Sequence, residues 1–239
     1  MIELYWYPSP NGVKVAIMLE ECQLPYRLVS VDITRGEQFS ANFLRISPNN
    51  KIPAIVDQEA DGAPLHLFES GAILLYLAEK TGRFLSSDTR ARHAAMQWLF
   101  WQVGGLGPMA GQAHHFRAFA SEHVPYGIKR YTDEVNRLYG VLDRQLARQG
   151  FVAGDYSIAD MAIWPWITPH ERQGQDLENF PAIGRWFQAV GQRPAVQRAV
   201  QKGLERQADA EGHKHLYGQT AASVVAAANS IAGRDGSSL

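Results

Sequence analysis

The chain has 239 residues, 46% of them hydrophobic and 20% charged, which is an ordinary composition for a folded protein with a buried core. Its 23 Lys and Arg residues balance 24 Asp and Glu residues, so the charge gives no reason to expect nucleic acid or an anionic membrane as a partner. Cys22 is the only cysteine, which excludes an intramolecular disulfide framework and a cysteine-rich zinc site.

The first 82 residues alternate between short apolar runs and helical segments. Alternating or β-branched patterns predict strands at residues 2–6, 26–33, 51–58 and 65–70. Helical spacing predicts two helices, at residues 13–21 and 70–82, the second with Ser70 at its start and Gly82 just past its end. The turn DGAP between the last two strands favours a hairpin. The order β-α-β-β-β-α predicts a small α/β domain over residues 1–82.

Strand signals disappear in the second half of the chain. Apolar residues recur at helical spacing in segments 90–103, 128–149, 157–171 and 180–194. The glycines and proline of GGLGPMAG predict a kink or break in a long helix. We therefore predict an all-helical domain over residues 87–207 after a short linker. Residues 208–239 are interpreted as a peripheral tail, in which the Ala-rich segment 221–229 favours a helix.

The turn YPSPNGVKV joins the first strand to the first helix. In a thioredoxin-like βαβ unit a C-x-x-C redox pair would lie here, because the helix N-terminus stabilises a thiolate. This turn has no cysteine. If the protein handles thiols, the sulfur must come from another molecule.

Two dipeptides are candidates for ligand binding. A cis Ile52–Pro53 bond would turn the N–H and C=O of Ile52 outward to pair with an extended peptide, although an ordinary edge-strand proline is the alternative. Ser70 lies at a helix start, where its N–H and hydroxyl suit a carboxylate, and Glu69 beside it can accept from an ammonium. Such a pair matches the amino-acid end of a γ-glutamyl group. The alternative is that Ser70 only caps its helix.

Other conspicuous residues have structural interpretations. Ser157 and Asp160 have the spacing of a capping box, which indicates a folding role rather than catalysis. Cys22 ends an apolar helical run and is predicted to be a small buried side chain. The His114–His115 pair lacks the i,i+4 spacing of a zinc helix, so no metal is expected. Most aromatic residues of the second half are assigned to the helical core, and some to the lining of a pocket.

Together these features resemble the cytosolic glutathione transferase superfamily, over about residues 1 to 205. More narrowly, the segments PNG, RISPNNKIPAIVD, LFESGAILLYLAEKTG, QWLFWQVGGLGPM and YSIAD are similar to the bacterial nu class, described as glutathione-dependent disulfide-bond oxidoreductases. The resemblance implies the glutathione transferase fold, with a thioredoxin-like N-terminal domain followed by an all-α C-terminal domain. It also implies a homodimer formed across helices that begin near residues 65 to 105.

The resemblance implies that the reacting thiol belongs to glutathione, bound with its sulfur over the first turn of the first helix. Ser9, through its hydroxyl, and Asn11, through its side-chain amide, are the catalytic candidates that would hold the thiolate, whereas Tyr5 and Tyr7 are assigned to packing. Arg130 either pairs with a glutathione carboxylate or is a solvated helix charge. The glutathione-binding residues that the resemblance implies are Asn11, Gln38, Lys51, Ile52, Pro53, Glu69, Ser70 and Arg130.

The expected function is glutathione-dependent reduction of disulfides without a protein cysteine. One alternative is conjugation of glutathione to small electrophiles, with Ser9 stabilising the thiolate; another is a non-catalytic glutathione-binding regulator. The expected partners are glutathione or glutathione disulfide and a small disulfide or electrophile, with no metal. The N-terminus MIELYWYPSP lacks signal-peptide features, and no apolar run approaches the about 20 residues of a membrane span, so we expect a cytoplasmic protein.

Overall fold

The computed structural model describes residues 1–204 and 220–222. Four strands form one mixed sheet in the order β2-β1-β3-β4. Strand β1 pairs in parallel with β2, where Ile2 lies opposite Tyr26, and antiparallel with β3, which in turn pairs antiparallel with β4. The strands are β1 Ile2–Trp6, β2 Tyr26–Ser30, β3 Ala54–Asp57 and β4 Leu65–Phe68.

The second strand is shorter than the sequence pattern predicts, because its partner strand β1 ends first. The Val31 N–H donates to the Trp6 carbonyl at 3.0 Å, and β1 ends at Trp6. The β-branched residues beyond Ser30 therefore continue as a turn. The predicted hairpin of β3 and β4 is confirmed by their antiparallel pairing.

Three α-helices belong to this half: α1 Pro10–Cys22, α2 Ala41–Leu44 and α3 Ser70–Thr81. Helix α1 begins three residues earlier than the apolar spacing predicts, because Ser9 caps it and Pro10 occupies its first position. Helix α3 ends as predicted, with Gly82 in the left-handed conformation at φ 64°.

The rest of the described chain consists of helices and the loops that connect them, and its β-structure is limited to short bridges at residues 151–155. The predicted break at the glycine-rich segment is present as a π-helical stretch, Gln102–Leu106, between α4 and α5. Helix α9 was not predicted as a separate element. The helices are α4 Thr89–Trp101, α5 Gly107–His114, α6 Pro125–Leu146, α7 Ile158–Ile167, α8 Pro181–Gly191 and α9 Pro194–Leu204.

Helix α1 lies at the centre of the molecule, packed against α3, α7 and α9. Its apolar residues join a core cluster that includes residues of the sheet and of the helical half. Ion pairs add to this packing: Glu21 binds Arg193, and Glu20 binds both Arg198 and Lys202. The helix whose first turn faces the candidate site is therefore fixed from both halves of the chain.

The capping box at the start of α7 is confirmed, since the Ser157 hydroxyl accepts from the Ala159 N–H and the Asp160 carboxylate accepts from the Ser157 N–H. Asp160 also accepts from the Trp186 indole at 2.8 Å. Burial raises the pKa of this carboxyl to about 6 against the effect of these hydrogen bonds. All of these contacts stabilise the fold, in agreement with the folding role that the sequence indicated for Asp160.

Within residues 1–204 and 220–222, no helix is long and apolar enough to cross a membrane. The same residues contain no group of three or more His, Cys, Asp or Glu side chains arranged to hold a metal ion. The predicted tail, residues 208–239, lies outside the described residues except for 220–222.

Candidate active site

The first turn of α1 presents two polar side chains at the end of β1. The Ser9 Oγ accepts from the Gly12 N–H at 3.2 Å, so the hydroxyl caps the helix and keeps its own hydrogen available for another acceptor. Gly12 is required here, because a Cβ at this position would lie 2.3 Å from the Tyr7 carbonyl oxygen. The turn thus combines a hydroxyl donor with the positive end of a helix dipole, and both stabilise an anion.

Asn11 is held in one orientation by a residue of the helical half. The Trp166 indole Nε1 donates to the Asn11 Oδ1 at 3.0 Å. An indole nitrogen can only donate, so the oxygen of the amide must face it, and the Asn11 NH₂ group points elsewhere as a donor. Asn11 therefore presents an oriented amide donor in the same turn as Ser9.

A cleft of about 160 Å³ opens beside this turn. Six of the predicted glutathione-binding residues line it, together with Asn49 and Phe68, which were not predicted. The Ile52–Pro53 peptide bond at its edge is cis, the geometry considered from the sequence. The lining residues are Asn11, Asn49, Lys51, Ile52, Pro53, Phe68, Glu69 and Ser70.

Glu69 and Ser70 form one wall of this cleft at the start of α3. Ser70 is the first helical residue and not the cap, so the alternative that it merely caps its helix is wrong. Glu69 occupies the cap position with φ 69°, a conformation that costs free energy for a residue with a side chain and is typical of functional sites. The Glu69 Oε1 accepts from Asn49 Nδ2 at 3.4 Å.

Two of the predicted ligand residues lie outside the lining of this cleft. Gln38 is buried in the 3-10 turn Glu37–Phe39. Its side-chain Nε2 donates to the Ile33 carbonyl at 3.3 Å, and its backbone carbonyl accepts from Asn50 Nδ2 at 2.9 Å. Arg130 is exposed on α6 and lines a separate cleft of about 390 Å³. Their roles in glutathione binding stay predictions.

Lys14 was missed by the sequence analysis. It is 1% exposed, on the face of α1 that also carries Ile17 and Met18. Its Nζ lies 3.3 Å from Ser70 Oγ and 2.5 Å from Gln102 Oε1. Burial lowers the pKa of Lys14 to about 7, against the opposing effect of Glu69. A lysine one turn before buried apolar residues at i+3 and i+4 was the signal that could have revealed it.

Cys22 has the surroundings predicted for it. The side chain is 8% exposed at the end of α1 opposite Ser9, with its sulfur 3.5 Å from the Thr81 hydroxyl oxygen. Burial raises the pKa of this thiol. A buried thiol with a raised pKa is a poor nucleophile at neutral pH.

Comparison with known proteins places the chain in a family. The model of the glutathione S-transferase N-terminal domain matches residues 8–80, and that of the C-terminal domain matches residues 108–194. The disulfide-bond oxidoreductase YfcG of Escherichia coli (strain K12) is 57% identical over 205 residues, which cover 84% of this chain and 95% of that protein. The disulfide-bond oxidoreductase YghU of the same organism is 44% identical over 211 residues, covering 82% and 73% of the two chains.

A solved structure shows the same architecture. A glutathione transferase from Pseudomonas putida, crystallised with one glutathione disulfide bound per subunit, superposes with a TM-score of 0.81 at 45% identity, covering 84% of this chain and 90% of that one. The chain therefore belongs to the glutathione transferase family. The predicted fold, a thioredoxin-like domain followed by a helical domain, is confirmed.

Proposed function

We propose that this protein is a glutathione-dependent disulfide-bond oxidoreductase in which the thiolate comes from bound glutathione. The observation that carries the proposal is the first turn of α1, which offers a hydroxyl and an oriented amide where a redox protein of this fold would place cysteine. YfcG and YghU, the two relatives compared above, are both disulfide-bond oxidoreductases by name. The buried Cys22 lies at the other end of the helix and has no part in the reaction.

The cleft supplies the receptor for glutathione in this proposal. Glu69 accepts from the γ-glutamyl ammonium, and Ser70 receives the adjacent carboxylate at the start of α3. The backbone of Ile52, exposed by the turn at Pro53, pairs with the cysteinyl residue. Lys51, in the lining of the cleft, contacts the glycyl end. Gln38 and Arg130 lie outside that lining, and their proposed contacts, Gln38 with the glycyl end and Arg130 with a glutathione carboxylate, rest on the resemblance alone.

The reaction is two successive thiol–disulfide exchanges. The glutathione thiolate attacks one sulfur of the disulfide, forms a mixed disulfide, and releases the other half as a thiolate that takes up a proton. A second glutathione thiolate then attacks the glutathione sulfur of the mixed disulfide, which yields glutathione disulfide and releases the second half of the substrate. Two glutathiones are oxidised for each disulfide reduced. The Ser9 hydroxyl and Asn11 amide stabilise the attacking thiolate, which raises its concentration at neutral pH.

The test is steady-state turnover with glutathione in excess, on hydroxyethyl disulfide and on a chloronitrobenzene in parallel. We expect strong disulfide reduction, weak conjugation, and full activity in the Cys22→Ala variant. The reverse ranking of substrates would make the protein a conjugating transferase that uses Ser9. Glutathione binding without turnover of either substrate would make it a regulatory protein. Loss of reduction in a folded Cys22→Ala variant would contradict the cysteine-free mechanism.

Two organisational predictions belong to the same proposal. We propose that residues 1–82 form the glutathione-binding domain, residues 87–207 the helical domain and residues 208–239 a peripheral tail. We also propose a homodimer formed across α3 and α4. Phe100 on α4 is 60% exposed in the single chain, and covering such a side chain favours association. Sedimentation equilibrium of the full chain measures the assembly directly.

A further inference from the structure

The ammonium of Lys14 is buried between the two halves of the chain. It reaches from the second turn of α1 to Ser70 at the start of α3 and to Gln102 in the π-helical stretch that follows α4. Both partners are neutral, and Lys14 forms no ion pair within residues 1–204 and 220–222, although the charge of Glu69 favours its protonated form. Burial of an ammonium among neutral partners is unfavourable, and a methionine would fill similar space without that cost. Stability alone does not account for a lysine here.

Gln102 binds the ammonium at a cost to its own hydrogen bonding. An ammonium can only donate, so Gln102 must turn its oxygen toward Lys14 and its Nε2 away. That Nε2 is buried without a hydrogen-bond partner among the described residues, which is itself unfavourable. It also lies where a Cβ at position 107 would be only 2.6 Å away, so Gly107 makes room for it. The Lys14 Nζ is therefore held behind Ser70 by an arrangement that is unfavourable for the buried amide of Gln102.

We propose that Lys14 is a positioning residue for glutathione, holding the Ser70 hydroxyl and a positive charge behind the receptor for the γ-glutamyl carboxylate. The inference rests on the proposed function, since it refines the binding site of the same ligand. It adds a residue of α1, and through Gln102 a residue of the helical half, to a receptor otherwise built from α3.

The chemistry follows from the single hydrogen of a serine hydroxyl. Because Ser70 Oγ accepts from the Lys14 ammonium, its own hydrogen is directed away from that nitrogen and stays available for a ligand oxygen. Ser70 also lines the cleft, so the hydroxyl joins the two environments. Glu69 supplies negative charge for the ligand ammonium, and Lys14, in its protonated form, supplies positive charge for the carboxylate. The pair of charges matches a zwitterionic amino-acid group.

The experiment measures binding and turnover in two variants that perturb Lys14 differently. Lys14→Met removes the charge, and Gln102→Glu keeps the lysine but neutralises it with an isosteric carboxylate. Lys202→Met is the matched control, since Lys202 is an ammonium that binds the same helix through Glu20, remote from the cleft. The ligand is S-methylglutathione, which binds without reacting, and the affinity is measured by calorimetry alongside thermal unfolding.

We expect Lys14→Met and Gln102→Glu to weaken S-methylglutathione binding about tenfold or more, the loss of one charge-assisted interaction. KM for glutathione should rise similarly in disulfide reduction, while kcat at saturating glutathione changes less than about threefold. Ser70→Ala should weaken binding too. The double variant Lys14→Met, Ser70→Ala should bind only slightly more weakly than the weaker-binding single variant, because both changes remove the same interaction. Lys202→Met should leave binding unchanged.

Unchanged affinity in either Lys14→Met or Gln102→Glu would overturn the role of Lys14 and leave the proposed function standing. If Lys14→Met does not fold, Gln102→Glu decides alone, because a purely structural lysine would be stabilised by the new carboxylate and binding would not weaken. If the unaltered protein binds no S-methylglutathione, both this inference and the proposed function fail. If it binds but reduces no disulfide, only the proposed function fails.

Discussion

The orientation of Asn11 predicts a measurable shift in the acidity of bound glutathione. Trp166 fixes the amide oxygen at 3.0 Å, which leaves the NH₂ group as the donor for the thiolate. A hydrogen bond to a charged group contributes about 1.5–3 kcal/mol, and one pKa unit corresponds to about 1.4 kcal/mol. Asn11→Ala should therefore raise the pKa of the bound thiol by about 1 to 2 units. A thiol with pKa near 6.5 is about three-quarters ionised at pH 7, and one with pKa near 8 about one-tenth.

The assay is the ultraviolet absorbance of the thiolate in the protein–glutathione complex, titrated with pH against the S-methylglutathione complex as blank. Two further variants distinguish the effect of the Trp166 contact, which orients the amide, from that of the Asn11 NH₂ group, which donates to the thiolate. Trp166→Phe keeps the ring but removes the indole donor, so the pKa should rise by less than in Asn11→Ala. Asn11→Asp keeps the bond from Trp166 but places a carboxylate where the donor was, so it should raise the thiol pKa most. An unshifted titration in Asn11→Ala with glutathione still bound would refute the reasoning and move the role to Ser9.

Three further predictions concern the fold. Asp160→Ala should lower the free energy of unfolding by more than about 3 kcal/mol in chemical denaturation, because it leaves two backbone N–H groups and the Trp186 indole buried without an acceptor. Although burial opposes it, hydrogen bonds from two basic side chains of α9 and a tyrosine lower the pKa of Glu20 to about 2. Glu20→Gln should therefore destabilise the protein near pH 7, and the difference from the unaltered protein, followed by thermal unfolding, should vanish as the pH falls from about 4.5 to about 2. Gly140→Ala should stabilise α6 by about 0.5–1 kcal/mol in chemical denaturation, because open space surrounds that position, whereas Gly12→Ala should destabilise the protein through the backbone clash.

Local patterns were enough to predict most elements of the fold. The capping box at Ser157 and the C-terminal glycine of α3 depend on neighbours within a few residues, and both are present. The start of α1 was missed although its signals, a serine before a proline, are equally local. The end of β2 was missed for a different reason, because it depends on where β1 ends rather than on its own residues.

In the candidate site too, residues within local motifs were predicted and those that depend on distant partners were missed. Sequence motifs identified the residues near Ile52 and Glu69 because each lies within a short segment at a strand or helix end. The functional interpretation of Trp166 was missed, since a tryptophan in an apolar helix most often belongs to the core. Nothing in the sequence near Asn11 indicates that its amide is held by a residue 155 positions away.

The helical half contributes two residues that hydrogen-bond to side chains in the first two turns of α1. Trp166 holds Asn11 in the first turn, and Gln102 holds Lys14 in the second. In the proposed function the first contact tunes the sulfur of glutathione and the second its γ-glutamyl carboxylate. Both contacts depend on the packing of α1 against α7 and on the π-helical stretch after α4. A small change in how the halves pack should therefore alter thiol acidity and ligand affinity together, although no residue of the cleft itself is changed.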